Sequence, residues 1–267
     1  LLAGCSRTET GGGTPPLPFT RALLSVGGAT DTEGSLAALG LIVRKVRDGQ
    51  RAAPMAAPAA ILNRVLFEEL GFVREIEDED PKFMLLASVL ADRRGSCVGL
   101  GSLYLALGEW LGISVSGIVV PGHFFVRVTD GSGTHNVELL RGGERMPDEW
   151  YRSKYQPAVG VPSYLRPLSQ EEVLGVVHYN LGNDLRRRRR LSEAHDSYAR
   201  AAAADVAVHA RQSRRRESLD NQSFQLLGPN PRRALHEVPT GPARSRQRGV
   251  VGTVVAAQRI RMPVHRQ

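Results

Sequence analysis

VLADRRGSCVGLGSLYLALGEWLG, residues Val89–Gly112, is the stretch on which the reading of this chain turns. Leu100, Leu103, Tyr104, Leu107 and Leu111 fall at i, i+3, i+4, i+7 and i+11, the apolar face of one helix, and Gly112 is placed to end it. That helix opens at Cys97, after Gly95-Ser96 and the basic pair Arg93-Arg94. The first turn of a helix presents unpaired backbone N–H groups and about half a positive charge. Such a start favours the thiolate of a cysteine over its thiol. The same N–H groups can hold an oxyanion. The plain alternative is that Cys97 is a small buried hydrophobe, as most free cysteines are.

Beyond Gly112 the pattern changes from helix to strand. Val115–Val120 is rich in β-branched residues, Pro121-Gly122 breaks it, and His123–Val128 alternates. Phe124, Val126 and Val128 form one apolar face, so His123, Phe125 and Arg127 point the other way. By itself, His123 is also readable as a surface residue beside a turn. Thr129–Thr134 is a hairpin connection and His135–Leu140 the return strand. Symmetric closure sets Val128 opposite His135 and Phe125 opposite Glu138. Glu138 then lies on the His123 face, about 7–8 Å away along the diagonal. Asn136 is on the same face one step further and is the alternative third member. A slip of one residue would exchange the faces.

Working outward, Leu36, Leu39, Val43 and Val46 make Ser35–Arg47 a helix, and Ile61–Leu70 is a second one stopped by Gly71. Glu75–Pro81 reads as a solvated acidic loop, and Pro81 as the first turn of a helix carrying Phe83, Leu86, Val89 and Leu90. Helices return at Pro147–Lys154 and Gln170–Arg186. His178–Val206 resembles a tetratricopeptide repeat in the spacing of Leu181-Gly182, Leu185, Ala194, Tyr198 and Ala201. No second copy follows.

The chain carries a net charge of +8. Residues 1–204 hold 23 Lys+Arg and 23 Asp+Glu, while 205–267 hold 12 Arg and 4 acids, so the whole surplus sits in the tail. That tail has no sustained period and reads as disordered, or as an aberrant translation. The run Arg186–Arg190 spreads round a helix without aromatic neighbours, so no nucleic-acid partner is expected. Two cysteines are too few for a disulfide framework. No cofactor and no metal is expected.

Leu1-Leu2-Ala3-Gly4-Cys5 resembles the end of a bacterial lipoprotein signal peptide. That resemblance implies a lipid on Cys5, a membrane anchor, residues 1–19 as signal remnant and linker, and truncation upstream. The location implied is the bacterial cell envelope, facing the periplasm; without a genuine box it is the cytoplasm.

Three stretches together resemble the transglutaminase-like superfamily, and within it the bacterial branch whose domain is followed by tetratricopeptide repeats. They are LNRVLFEELGF at Leu62–Phe72, Val89–Gly112, and VPGHFFVRV at Val120–Val128. The resemblance covers roughly Leu62–Tyr155. It implies an α+β, papain-like fold in which the Cys helix packs on an antiparallel sheet bearing His and an acid. Cys97 matches the nucleophile and His123 the base. Glu138 matches the acid, usually Asp, and Asn63 is the candidate side-chain oxyanion donor.

The organisation expected is linker 1–19, transglutaminase-like domain 20–168, helical hairpin 169–204 and basic tail 205–267. The function expected is amide or peptide hydrolysis, or acyl transfer, on a peptide or protein substrate. The alternative is an inactive scaffold that binds a protein partner, with the repeat-like helices contributing.

Overall fold

The structure is a computed structural model and describes residues 17–28, 30–75, 80–157 and 164–213, the last nine positions as backbone only. Helix α1 (Pro18–Ser25) precedes α2 (Thr32–Ala52), which Asp31 caps through the Gly34 N–H. Leu36, Leu39, Val43 and Val46 are buried along α2, as their spacing requires. α3 (Pro58–Asn63) runs on into a π-helical turn, Arg64–Glu69. Then come β1 (Val73–Arg74), a 3-10 turn (Pro81–Met84), α4 (Leu86–Asp92), β2 (Arg94–Gly95) and α5 (Cys97–Leu111).

The four strands that follow form one antiparallel meander: β3 (Ser114–Val120), β4 (His123–Asp130), β5 (Gly133–Glu138) and β6 (Glu144–Arg145). Helix α6 (Asp148–Tyr155) and the pair α7 (Gln170–Arg187) and α8 (Leu191–Ser213) complete the described chain. The result is a mixed helix-and-sheet fold of the α+β kind.

Two cores flank the sheet. On one side Phe124, Val126 and Val128 join the main cluster with Leu100, Leu103 and Leu107 of α5. The approach is close. A Cβ on Gly101 or Gly117 would fall 2.4 or 2.6 Å from the Phe124 ring, so both positions admit no side chain without repacking. On the other side Ile118, Val120 and Phe125 pack with Tyr151 and Leu165 in a smaller cluster. The free edge of β3 is covered by Leu165 and Leu168, whose N–H groups donate to Val119 and Gly117.

Three local expectations change. The linker read as far as residue 19 ends sooner: Leu17 and Phe19 are buried and α1 starts at Pro18. The cause is a long-range cap. The Glu109 carboxylate, near the end of α5, accepts the N–H groups of Phe19 and Thr20 and the Thr20 hydroxyl. Second, the helix expected from Pro81 is broken at Leu85, which is extended. The Phe83 carbonyl turns to accept the Ser96 N–H at 2.8 Å instead of serving its own helix. Third, the α8 backbone continues to Ser213, into the segment expected to lack structure, favoured by the Ala-rich run 201–204.

α7 and α8 form an antiparallel hairpin. Gly182 lies against the Tyr198 ring, and the Tyr198 hydroxyl donates to Asn183 at 2.8 Å. α7 also packs on α1 and on the 3-10 turn Pro81–Met84. Among the described residues no helix is long and apolar enough to cross a membrane.

Candidate active site

Cys97 is the first residue of α5. Ser96 is its N-cap, with the hydroxyl accepting the Gly99 N–H at 3.2 Å. The strand pair β1–β2 delivers Arg94-Gly95 to this point, and Gly99 lets the Phe83 carbonyl close over the first turn. A Cβ there would lie 2.0 Å from that oxygen. The N–H groups of Cys97 and Val98 head the helix, and the aligned peptide dipoles make this end positive. Arg93 and Arg94 do not add to that field directly. Arg93 donates to the Leu70 carbonyl, and Arg94 pairs with Glu75 at 3.0 Å. Glu75, expected in a solvated loop, is thus largely buried in an ion pair, while residues 76–79 lie outside the described residues.

His123 begins β4. The register pairs Val126 with Val137, Arg127 with Asn136 and Val128 with His135. Its continuation sets Glu138 across from Phe125, on the His123 face. The Glu138 Oε2 lies 2.7 Å from His123 Nε2, and its Oε1 accepts the Leu140 N–H at 3.1 Å. With Nε2 engaged, Nδ1 is the ring nitrogen left to face the Cys97 side chain, which lies near enough to raise the imidazole pKa. Cys97, His123 and Glu138 are 3%, 3% and 1% exposed. Burial by itself pushes the imidazole towards neutrality. The hydrogen bonds and charges of Cys97 and Glu138 overcome it and lift the pKa to about 9. The ring is therefore an imidazolium at neutral pH, between two acidic partners.

α6 closes the site with aromatic rings that the sequence reading left out. Tyr155 stacks on the imidazole at 4.7 Å with planes 7° apart, and Tyr151 stacks on Phe125 at 3.7 Å. Burial first, then the charges of Glu138 and Cys97, raise the Tyr155 phenol pKa and keep it protonated. Burial and Glu138 do the same for Tyr151. The Tyr151 hydroxyl approaches Glu138 without forming a well-made hydrogen bond. A signal was available: Tyr151 and Tyr155 stand at i and i+4, on one helix face.

Two expected residues go elsewhere. Asn136 is not brought to His123. Its Oδ1 accepts from Arg127 Nε at 2.7 Å, and its Nδ2 donates to Asp148 and to the Met146 carbonyl. Arg127 bridges the same Asp148 at 2.6 Å. Asn63 is not a free oxyanion donor, because its amide is occupied at both ends by Gly143 and Tyr104. Cys5 lies outside the described residues. Among the described residues no group of three or more His, Cys, Asp or Glu is placed to hold a metal ion.

The model of a family described as the transglutaminase-like superfamily matches residues 34–177, from α2 into α7. Two curated relatives are UPF0162 proteins of Xylella fastidiosa, strains 9a5c and Temecula1 / ATCC 700964. Each is 30% identical over 102 residues, 38% of this chain and 36% of the relative. The chain thus spans little more than a third of the length of the relatives it matches. No solved structure matches it.

Proposed function

Because the chain belongs to the transglutaminase-like superfamily, we propose that it is a cysteine enzyme that hydrolyses an amide or peptide, or transfers its acyl group, through Cys97, His123 and Glu138. The observation that carries this reading is the buried His123–Glu138 pair, with buried Cys97 at the head of α5 near enough to help hold the imidazole charged. The Cys97 thiolate attacks the carbonyl carbon of a carboxamide or peptide, and a C–S bond forms as the carbonyl π electrons move to oxygen. The N–H groups heading α5 are the available donors for that oxyanion. The His123 imidazolium gives its proton to the departing nitrogen as the C–N bond breaks, leaving a thioester and ammonia or an amine. Neutral His123 then takes a proton from water or an amine, which attacks the thioester. The products are an acid or a new amide, and the returning thiolate is paired again with the imidazolium. Glu138 keeps the ring oriented and offsets its charge.

The test is to incubate the full chain with glutamine- and asparagine-containing peptides, measuring released ammonia and new amines and searching by mass spectrometry for an acyl adduct on Cys97. Activity that survives in Cys97→Ala, or the lack of any adduct and turnover, refutes the reading.

One observation favours a second reading. Cys97 is almost completely enclosed, as suits an inert site on a protein-binding scaffold formed by the domain and the α7–α8 hairpin. On that reading Cys97→Ser leaves the function in cells intact. We also place the protein at the bacterial envelope, anchored through Cys5. The support is the string Leu2-Ala3-Gly4-Cys5 and the Gly/Pro-rich stretch after it. Incorporation of a labelled fatty acid into the protein expressed behind a lipoprotein signal peptide, and its loss in Cys5→Ser, tests this.

A further inference from the structure

Asn63 ends α3, with its side chain between two parts of the site. Its Oδ1 accepts the Tyr104 phenol O–H at 3.1 Å, and its Nδ2 donates to the Gly143 carbonyl at 3.0 Å. The Gly143 N–H then donates to the Glu138 carbonyl at 3.0 Å. Tyr104 follows Cys97 by seven residues on α5, two turns along the same side of the helix. A continuous line of hydrogen bonds therefore joins the helix of the nucleophile to the turn after the acid.

The turn is shaped for this contact. Gly142 and Gly143 have φ of 67° and 87°, in the left-handed region. A Cβ on Gly143 would come within 2.6 Å of the Asn63 amide. Tyr104 is fully buried, where an unpaired hydroxyl or amide is costly.

We propose that Tyr104 and Asn63 are positioning residues that hold the Glu138 carboxylate in place relative to Cys97, acting through Gly143. The inference rests on the triad reading above. The side-chain hydrogen bonds of both residues go to each other and to Gly143, not to the sulfur or the imidazole. The acid needs such support because a glutamate has one more side-chain torsion than an aspartate. Its Oε1 is fixed to the N–H of Leu140, inside the turn that Gly143 closes. A displacement of that turn moves Oε2 against its 2.7 Å contact with the ring.

The readout is the titration of His123 in the full chain, followed by NMR of labelled histidine and assigned with His123→Gln. The groups facing this ring are Cys97, Glu138, Tyr151 and Tyr155. Wild type is expected to titrate near 9, and Glu138→Gln to fall by about one unit or more. Tyr104→Phe and Asn63→Leu are each expected to fall by about half a unit, and the double variant by no more than the larger single one. In a Glu138→Gln background Tyr104→Phe should change nothing further. If Tyr104→Phe leaves the titration where wild type has it while Glu138→Gln moves it, the positioning role is wrong and the triad stands. If Glu138→Gln also leaves it unmoved, the triad reading itself fails. Should Asn63→Leu not fold, Tyr104→Phe, which removes one oxygen atom, decides alone.

Discussion

The two faces of β4 are built on different terms. One presents Phe124, Val126 and Val128 to α5, all buried and all apolar. The other presents His123, Phe125 and Arg127 to α6, and its polar members are individually partnered. His123 is held by Glu138, and Arg127 by Asn136, Asp148 and the Leu165 carbonyl. The first face tolerates no loss of volume, because its contribution comes from contact area. The second tolerates no loss of a partner, because each polar group removed strands another. The apolar packing and the His123–Glu138 pair thus occupy opposite sides of a single strand, while Cys97 comes from the α5 side.

Phe124→Ala should show the largest effect. It removes a ring that Gly101 and Gly117 both face, and a destabilisation of about 3–5 kcal/mol is expected in urea unfolding. A loss under about 1 kcal/mol would mean the apolar face is not the load-carrying one.

The second test concerns pH. His123 titrates near 6.5 when unfolded and about 9 when folded. A raised folded value means its stabilisation is complete below about 6.5. It declines between those values and is gone above the folded one. Urea midpoints at pH 6, 7.5 and 10 should therefore fall more in wild type than in His123→Gln. Parallel curves for the two proteins would show that the imidazolium contributes nothing.

Arg127→Met probes the same face away from the thiol. It leaves Asp148 and Asn136 short of a partner, and a loss of about 1–3 kcal/mol is expected. The His123 titration should not move, and if it does, the two polar networks are one.

The smallest effect is expected from Tyr155→Ala, which uncovers the imidazole and its surroundings. Iodoacetamide should label Cys97 roughly tenfold faster, equivalent to about 1.4 kcal/mol less for opening. An unchanged rate would show that the ring does not cover the thiol.

Much of this division was legible from residue spacing. The apolar face of α5, its start at Cys97, the β4–β5 register and the preference for Glu138 over Asn136 all follow from periods of 3.6 and 2. Failures came where a distant group overrides local pattern. Glu109 caps a helix some ninety residues earlier in the chain, and the Phe83 carbonyl serves Ser96 rather than its own helix. Arg94, read as part of the field on the thiol, is claimed by Glu75. The i, i+4 spacing of Tyr151 and Tyr155 puts both rings on one helix face, but an aromatic face looks the same whether it fills a core or covers a site.

The Glu109 cap also has a mechanical meaning. Tension applied ahead of Leu17 enters α1 and crosses to Glu109 through the Phe19 and Thr20 contacts. From there it runs along the helix that starts at Cys97, which is itself packed on the sheet. A protein tethered by its leading end would transmit a tug to the helix that carries Cys97.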